Sequence, residues 1–99
     1  MKNIGVSMRD EILEEKKTKG KDGWYCYWTI PIPYGVGSGS LLWVANHGKW
    51  VGHFTIFRIS VNQDEVHFHS ESWIDDIQGE RTPFRGFTYK VPSPHGVSP

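Results

Sequence analysis

The chain of 99 residues holds one cysteine, Cys26, so no intramolecular disulfide and no cysteine-based zinc site can form. No apolar run approaches the roughly 20 residues that a membrane span needs, and Met1 is not followed by the apolar segment of a secretion signal. Both absences lead us to expect a water-soluble cytoplasmic protein with no membrane partner. Neither sign of charge is in excess. Eleven Lys and Arg balance eleven Asp and Glu, so the field of the whole molecule does not select a polyanion. No internal repeat is visible, and the length excludes a second domain. We expect one domain over residues 1–92 and a disordered tail over 93–99, because Pro92 to Pro99 holds three prolines and two serines.

Aromatic residues, in contrast, are plentiful: five Trp, four Tyr and five Phe. That content suits a small β-rich core, and it equally suits a surface that stacks on flat ligands. Charge is balanced in total but not along the chain. Lys16, Lys17, Lys19 and Lys21 lie within six residues, whereas the stretch with Asp64, Glu65, Glu71, Asp75, Asp76 and Glu80 holds no Lys or Arg.

The stretch Leu41 to Val61 reads as two strands joined by a tight turn at Asn46, His47, Gly48 and Lys49, where Asn and Gly accept positive φ at little cost. Strict alternation places Val51, His53, Thr55, Phe57, Ile59 and Val61 on one face and Gly52, Phe54, Ile56, Arg58 and Ser60 on the other. Both faces are substantially apolar, which predicts a central strand covered on two sides. Ahead of the hairpin, Ile4 and Val6 mark a short first strand. Ser7 is placed to cap a helix over about Met8 to Lys17, with Met8, Ile12 and Leu13 as its apolar stripe and Gly20 as its stop. In the segment Trp24 to Pro33, Trp24, Cys26, Trp28 and Ile30 alternate with Tyr25, Tyr27 and Thr29, and Pro31 and Pro33 end the ladder. Cys26 there reads as a small buried hydrophobe. The glycines of Tyr34 to Ser40 precede a strand and no Lys, so this segment predicts a connector or a mobile lid rather than a phosphate cradle.

After the hairpin, Glu65 to Trp73 reads as a strand with Val66, Phe68 and Ser70 inward and Glu65, His67, His69 and Glu71 on a solvated outer face. His67 and His69 have the two-residue spacing of metal ligands on a strand, but the solvated face is the better reading, and no metal or cofactor is expected. Ile74 to Pro83 reads as an acidic loop, and Phe84 to Val91 as a closing strand. The fold class expected is α+β, mainly β: a small barrel of about six strands with one N-terminal helix.

Three stretches resemble the PUA-like superfamily, which includes the ASCH, EVE and YTH domains. Met1 to Ser7 followed by Ile12 to Thr18 resembles the opening strand and helix of ASCH domains. Gly39 to Val44 followed by Val51 to Ile56 resembles the barrel hairpin of EVE and ASCH domains, and Phe84 to Val91 resembles the strand that seals the barrel. The resemblance implies a PUA-like pseudo-barrel over residues 1–92 and nucleic-acid binding, of RNA or of a single modified base in an aromatic pocket. It does not carry over the acetylcytidine amidohydrolase chemistry of some compact ASCH proteins. Lys17 and Thr18 match that motif, but Gly20 stands where its nucleophilic threonine is expected, so no catalytic residue is assigned.

Elementary chemistry supports the same partner, since flat side chains stack on bases and Lys and Arg neutralise phosphates. The candidate stackers are Tyr27, Trp28, Tyr34 and Trp43. The candidate phosphate contacts are Lys17, Lys19 and Lys21, with Arg58 and Arg85 as outliers. A first alternative is a small protein-interaction or inhibitor module of phage or mobile-element type, acting through the acidic Asp64 to Glu80 stretch. A second is a hydrolase of a modified nucleoside, using Lys17 or a metal held by His67, His69 and His53.

Overall fold

The structure, a computed structural model, describes residues 2–18, 25–80 and 86–93. It is mainly β. Six strands form one curled half-barrel sheet, with one α-helix among the described residues. In chain order these are β1 (Ile4–Ser7), α1 (Asp10–Thr18), β2 (Cys26–Thr29), β3 (Leu41–Asn46), β4 (Lys49–Ser60), β5 (Glu65–Phe68) and β6 (Ile74–Asp75). The spatial order is β1, β3, β4, β5, β2, with β6 paired to β4. No helix among the described residues is long and apolar enough to cross a membrane.

The hairpin is as its sequence predicts. β3 and β4 pair antiparallel from Leu41 opposite Thr55 to Asn46 opposite Lys49. His47 and Gly48 form the two-residue turn with φ of 52° and 78°, the double positive φ that matches the twist of the flanking strands. β1 joins β3 in parallel, a pairing that requires a long crossover, and α1 and β2 lie within that connection.

Strict alternation along β4 does not hold. The register shifts near Val51, between the pairs Val44–Gly52 and Ala45–Trp50, and again between Ile56 and Arg58. Each extra residue reverses the facing of the residues after it. Phe54 and Ile56 therefore enter the main core with Ile4, Val6, Leu42, Val44, Val66 and Phe68, and beyond the second shift it is Ile59, not Arg58, that packs on it. On the opposite side His53 and Trp50 share a face despite their odd spacing, and Trp50 joins Trp43 and Ala45 in a second cluster.

Other boundaries move for identifiable reasons. The helix begins at Asp10, because Met8 is still extended, its N–H donating to the Ala45 carbonyl (2.9 Å). Ser7 thus ends β1 instead of capping α1. The first helical bond runs from Leu13 N–H to the Arg9 carbonyl, and the Asp10 carboxylate accepts from Asn46 Nδ2 (3.0 Å) across the hairpin turn. The strand expected over Glu65 to Trp73 stops at Phe68, and a 3-10 turn at Ser70–Ser72 comes next. The expected acidic loop instead keeps to the edge of β4. Thr55 N–H donates to Ser72 Oγ (3.1 Å), β6 pairs with Gly52 and His53, and the Val51 and Trp50 carbonyls accept from the amides of Asp76 and Gln78. Of the expected closing strand, residues 86–91 contribute one bridge, Thr88 to Gly5, while Phe84 and Arg85 lie outside the described residues, as does most of the expected tail.

Gly52 sits where β6 crosses β4. A Cβ there would strike the Ile74 carbonyl oxygen and lie 2.7 Å from Cη2 of Trp73. Since backbone is one of the two obstacles, Gly52→Ala is expected to destabilise the protein by about 1–3 kcal/mol in urea titration. Gly79→Ala, with nothing within 4 Å, serves as the near-neutral control.

Candidate functional site

The curled sheet has two ends, β1 and β2, and a cleft of about 570 Å³ lies between them. Ser7 at the end of β1, Ile12 and Lys16 of α1, Gly86, and four consecutive residues from Tyr27 to Ile30 line it. The helix is held over this gap by its own backbone. Ser70 Oγ donates to the Lys16 carbonyl oxygen, and Cys26 Sγ lies 3.5 Å from the same atom. Cys26 itself is buried, as its place in an aromatic strand predicts.

Lys16 is the residue that sequence reasoning missed. It is only 8% exposed, and its Nζ lies 4.9 Å from the centroid of the Tyr27 ring. Among the described residues no carboxylate is within ion-pair distance of it. The signal was available: Lys16 is three residues after Leu13 and four after Ile12, so it continues the apolar face of α1 and must lay its stem on the core. Lys17, the expected contact, turns away. Its Nζ pairs with Glu14 (3.6 Å) and lies over the Trp73 ring.

The structure brings together two of the four expected stackers. Tyr27, 43% exposed, and half-buried Trp28 flank the cleft from adjacent positions of β2. Trp43 is fully buried, with His53 at 4.6 Å and Trp50 at 6.4 Å between ring centroids, so no face of it is open to a ligand. Tyr34 is exposed but not on the cleft. Its carbonyl accepts from the Tyr89 hydroxyl (3.2 Å), beside Lys2. Lys19, Lys21 and Arg85 lie outside the described residues.

Arg58 occupies a different surface, the outer face of β2, β5 and β4. Its guanidinium lies 5.0 Å from the Tyr25 ring and 5.3 Å from the Phe57 ring. Its Nε donates to His67 Nδ1 (2.9 Å), so the proton of His67 sits on Nε2, which donates to Glu65 Oε1 (2.9 Å). His67 is therefore not on a solvated face: it is 3% exposed, stacked under Tyr25 at 4.4 Å. With both ring nitrogens engaged it is a poor metal ligand, and no cluster of three or more His, Cys, Asp or Glu among the described residues is arranged to hold a metal.

A third polar group is buried in the second cluster. His53 is 3% exposed, neither ring nitrogen has a hydrogen-bond partner among the described residues, and its Nε2 is 3.7 Å from Asp76 Oδ2, beyond hydrogen-bond reach. Burial pushes the His53 pKa below the ordinary 6.5, and the Asp76 carboxylate offsets part of that shift. On acidification the unfolded chain takes up this proton first. His53 thus contributes stability that is complete above pH 6.5 and is lost as pH falls from 6.5 through the folded pKa, at no more than about 1.4 kcal/mol per pH unit. We expect His53→Gln to flatten the fall in Tm between pH 7 and pH 5 in calorimetric scans. An unchanged fall would assign the acid sensitivity to other groups.

No protein-family model, curated protein or solved structure matches this chain.

Proposed function

We propose that the cleft between β1 and β2 binds one base of a nucleic acid, RNA or a modified base. The observation that carries this is Lys16: a buried lysine with no acidic partner among the described residues, positioned over an exposed tyrosine at the wall of a cleft. In such a site the ring of Tyr27 offers a base a stacking face, Trp28 supplies a second apolar wall, and the lysine meets a phosphate or a base carbonyl. The volume falls in the range of ordinary small-ligand sites, about 300–1,000 Å³. The order of strands and helix also suits the PUA-like pseudo-barrel that the sequence resembles, whose members bind RNA or single modified bases.

The test is tryptophan fluorescence of the purified protein at low salt, titrated with short single-stranded RNA and DNA and with oligonucleotides that carry methylated or acetylated bases. Saturable quenching that weakens with salt is expected. Tyr27→Ala is expected to weaken binding by about 1–3 kcal/mol, and Lys16→Gln to weaken it and flatten its salt dependence, while Tyr34→Ala leaves it unchanged. Binding that is indifferent to Lys16 and Tyr27 would refute the cleft.

One observation favours a second reading, a protein partner on the acidic stretch. Ile74 and Ile77 are 54% and 69% exposed, and the exposed Glu71, Asp75 and Glu80 surround them in sequence. Asp76, in contrast, is buried beside His53 and accepts from Gln78 (2.8 Å), so it is no part of such a surface. A basic partner captured by the wild-type protein is expected to be lost on reversal of Glu71, Asp75 and Glu80 to Lys and kept on Lys16→Gln. The opposite pattern would return the activity to the cleft.

A further inference from the structure

The bulge in β4 makes the outer face of the sheet unlike an ordinary solvated face. With regular alternation, Arg58 would share a face with Phe54 and Ile56 and point into the core. The register shift between Ile56 and Arg58 leaves Phe57 and Arg58 on the same outer side, where Phe57 stacks on His69 (4.3 Å, 7°) and Arg58 covers Tyr25. The shift thus turns an arginine outward onto the exposed Tyr25 ring and the half-buried Phe57 ring. Glu65, the acid on this face nearest to it in register, is bonded to His67 Nε2, and among the described residues no carboxylate is within ion-pair distance of Arg58.

This surface is continuous with the cleft. Tyr27 of β2 stands opposite His67 of β5, and His67 stands opposite Arg58 of β4. Two strand spacings separate Tyr27 from Arg58, about 10 Å. Lys16 lies over the Tyr27 ring at one end of this row, and Arg58 lies over the Tyr25 ring at the other. Two cations without acidic partners among the described residues thus bracket two exposed tyrosines. The His67 ring is fixed under Tyr25 by its bonds to Arg58 and Glu65, so the platform is rigid before any ligand arrives.

We infer that the ligand is a single strand more than one nucleotide long. One unit sits in the cleft at Tyr27 and Lys16, and the adjoining unit lies on the outer face, its base on Tyr25 and its phosphate on the Arg58 guanidinium. Arg suits this role because its planar fork donates to phosphate oxygens in pairs while it stacks on a ring. A flat, cationic and aromatic sheet face matches a polyanion with stacked bases, and an apolar or basic partner would leave both cations unpaired. This inference rests on the proposed function of the cleft.

The test compares the four ribonucleoside 5′-monophosphates with the four homotetraribonucleotides, measured by calorimetry at low salt on wild type, Arg58→Gln, Arg58→Lys and Lys16→Gln. The wild type is expected to bind its best tetramer at least about tenfold more tightly than the matching monophosphate. Arg58→Gln is expected to lose about that factor for the tetramer only, and its salt slope should fall by about one. Arg58→Lys, which keeps the charge and guards against a folding defect, should recover part of the loss. Equal affinity for monomer and tetramer, or a tetramer affinity indifferent to Arg58→Gln, overturns the second subsite. The cleft would then survive if monophosphate binding still falls with Lys16→Gln. Absence of binding by every monophosphate and every tetramer overturns both.

Discussion

Everything in this fold depends on one strand having to serve two half-sheets. β4 pairs with β3 through its first half, then with β5 through its second, and the chain from β5 to Glu80 returns along its entire length. A flat strand of that length cannot track a curled sheet while keeping one face buried. Two register shifts absorb the curvature, and each one reverses which residues face the core. Phe54 and Ile56 fill the middle of the main core, Ile59 takes over beyond the second shift, and Trp50 and His53 are assigned to the outer cluster with Trp43. Gly52 is where β6 must approach most closely, and only a residue without a Cβ lets it do so.

The same curvature makes the candidate site. Curling brings β1 and β2 to either side of one gap, and α1, the crossover between parallel strands, is the element available to cover it. A helix on that gap must be apolar below, which Ile12 and Leu13 satisfy, and Lys16 completes the stripe with a long stem and a charged end. Two contacts to its backbone carbonyl come from Cys26 of β2, at one end of the sheet order, and from Ser70 of the 3-10 turn after β5, so the lysine is positioned by tertiary packing and not by helix propensity alone. The cleft is therefore a consequence of sheet geometry.

How far the sequence discloses this depends on which forces are local. The hairpin turn was legible because positive φ at His47 and Gly48 is a property of those residues and their immediate neighbours. The alternation of Cys26 and Trp28 in β2, with Ile30 just after it, was legible because that strand is short and has no bulge, while Trp24, the other member of that set, lies outside the described residues. The bulges of β4 were not, since nothing in Val51 or Phe57 announces an extra residue. The shifts answer to the partner strands, which the local pattern does not contain. His67 misled for a related reason. Alternation placed it correctly on the outer face, but outward is not the same as exposed when Tyr25 and Arg58 from two neighbouring strands close over it. Of the four proposed stackers, the two on β2 came together, while Tyr34 and Trp43 were separated by the path of the chain between them.

Lys16 and Arg58 show the same physical logic at two depths. Each lies beside an exposed tyrosine, and among the described residues neither has a carboxylate to pair with. Three other side chains do face a carboxylate: Lys17 Nζ is 3.6 Å from Glu14, His47 Nε2 is 3.0 Å from Asp10, and His67 Nε2 is 2.9 Å from Glu65. Covering a lysine stem while leaving its charge without an acid costs stability that a neutral residue of similar volume would not. A tyrosine ring offsets only part of that cost, about 0.5–2 kcal/mol. Because the formal net charge is zero, any attraction of an anion to these two cations would come from their local placement and not from a long-range field. An anion that supplies the missing partner and a flat ring that extends the stack would restore the balance at both positions. A phosphodiester-linked base has both parts.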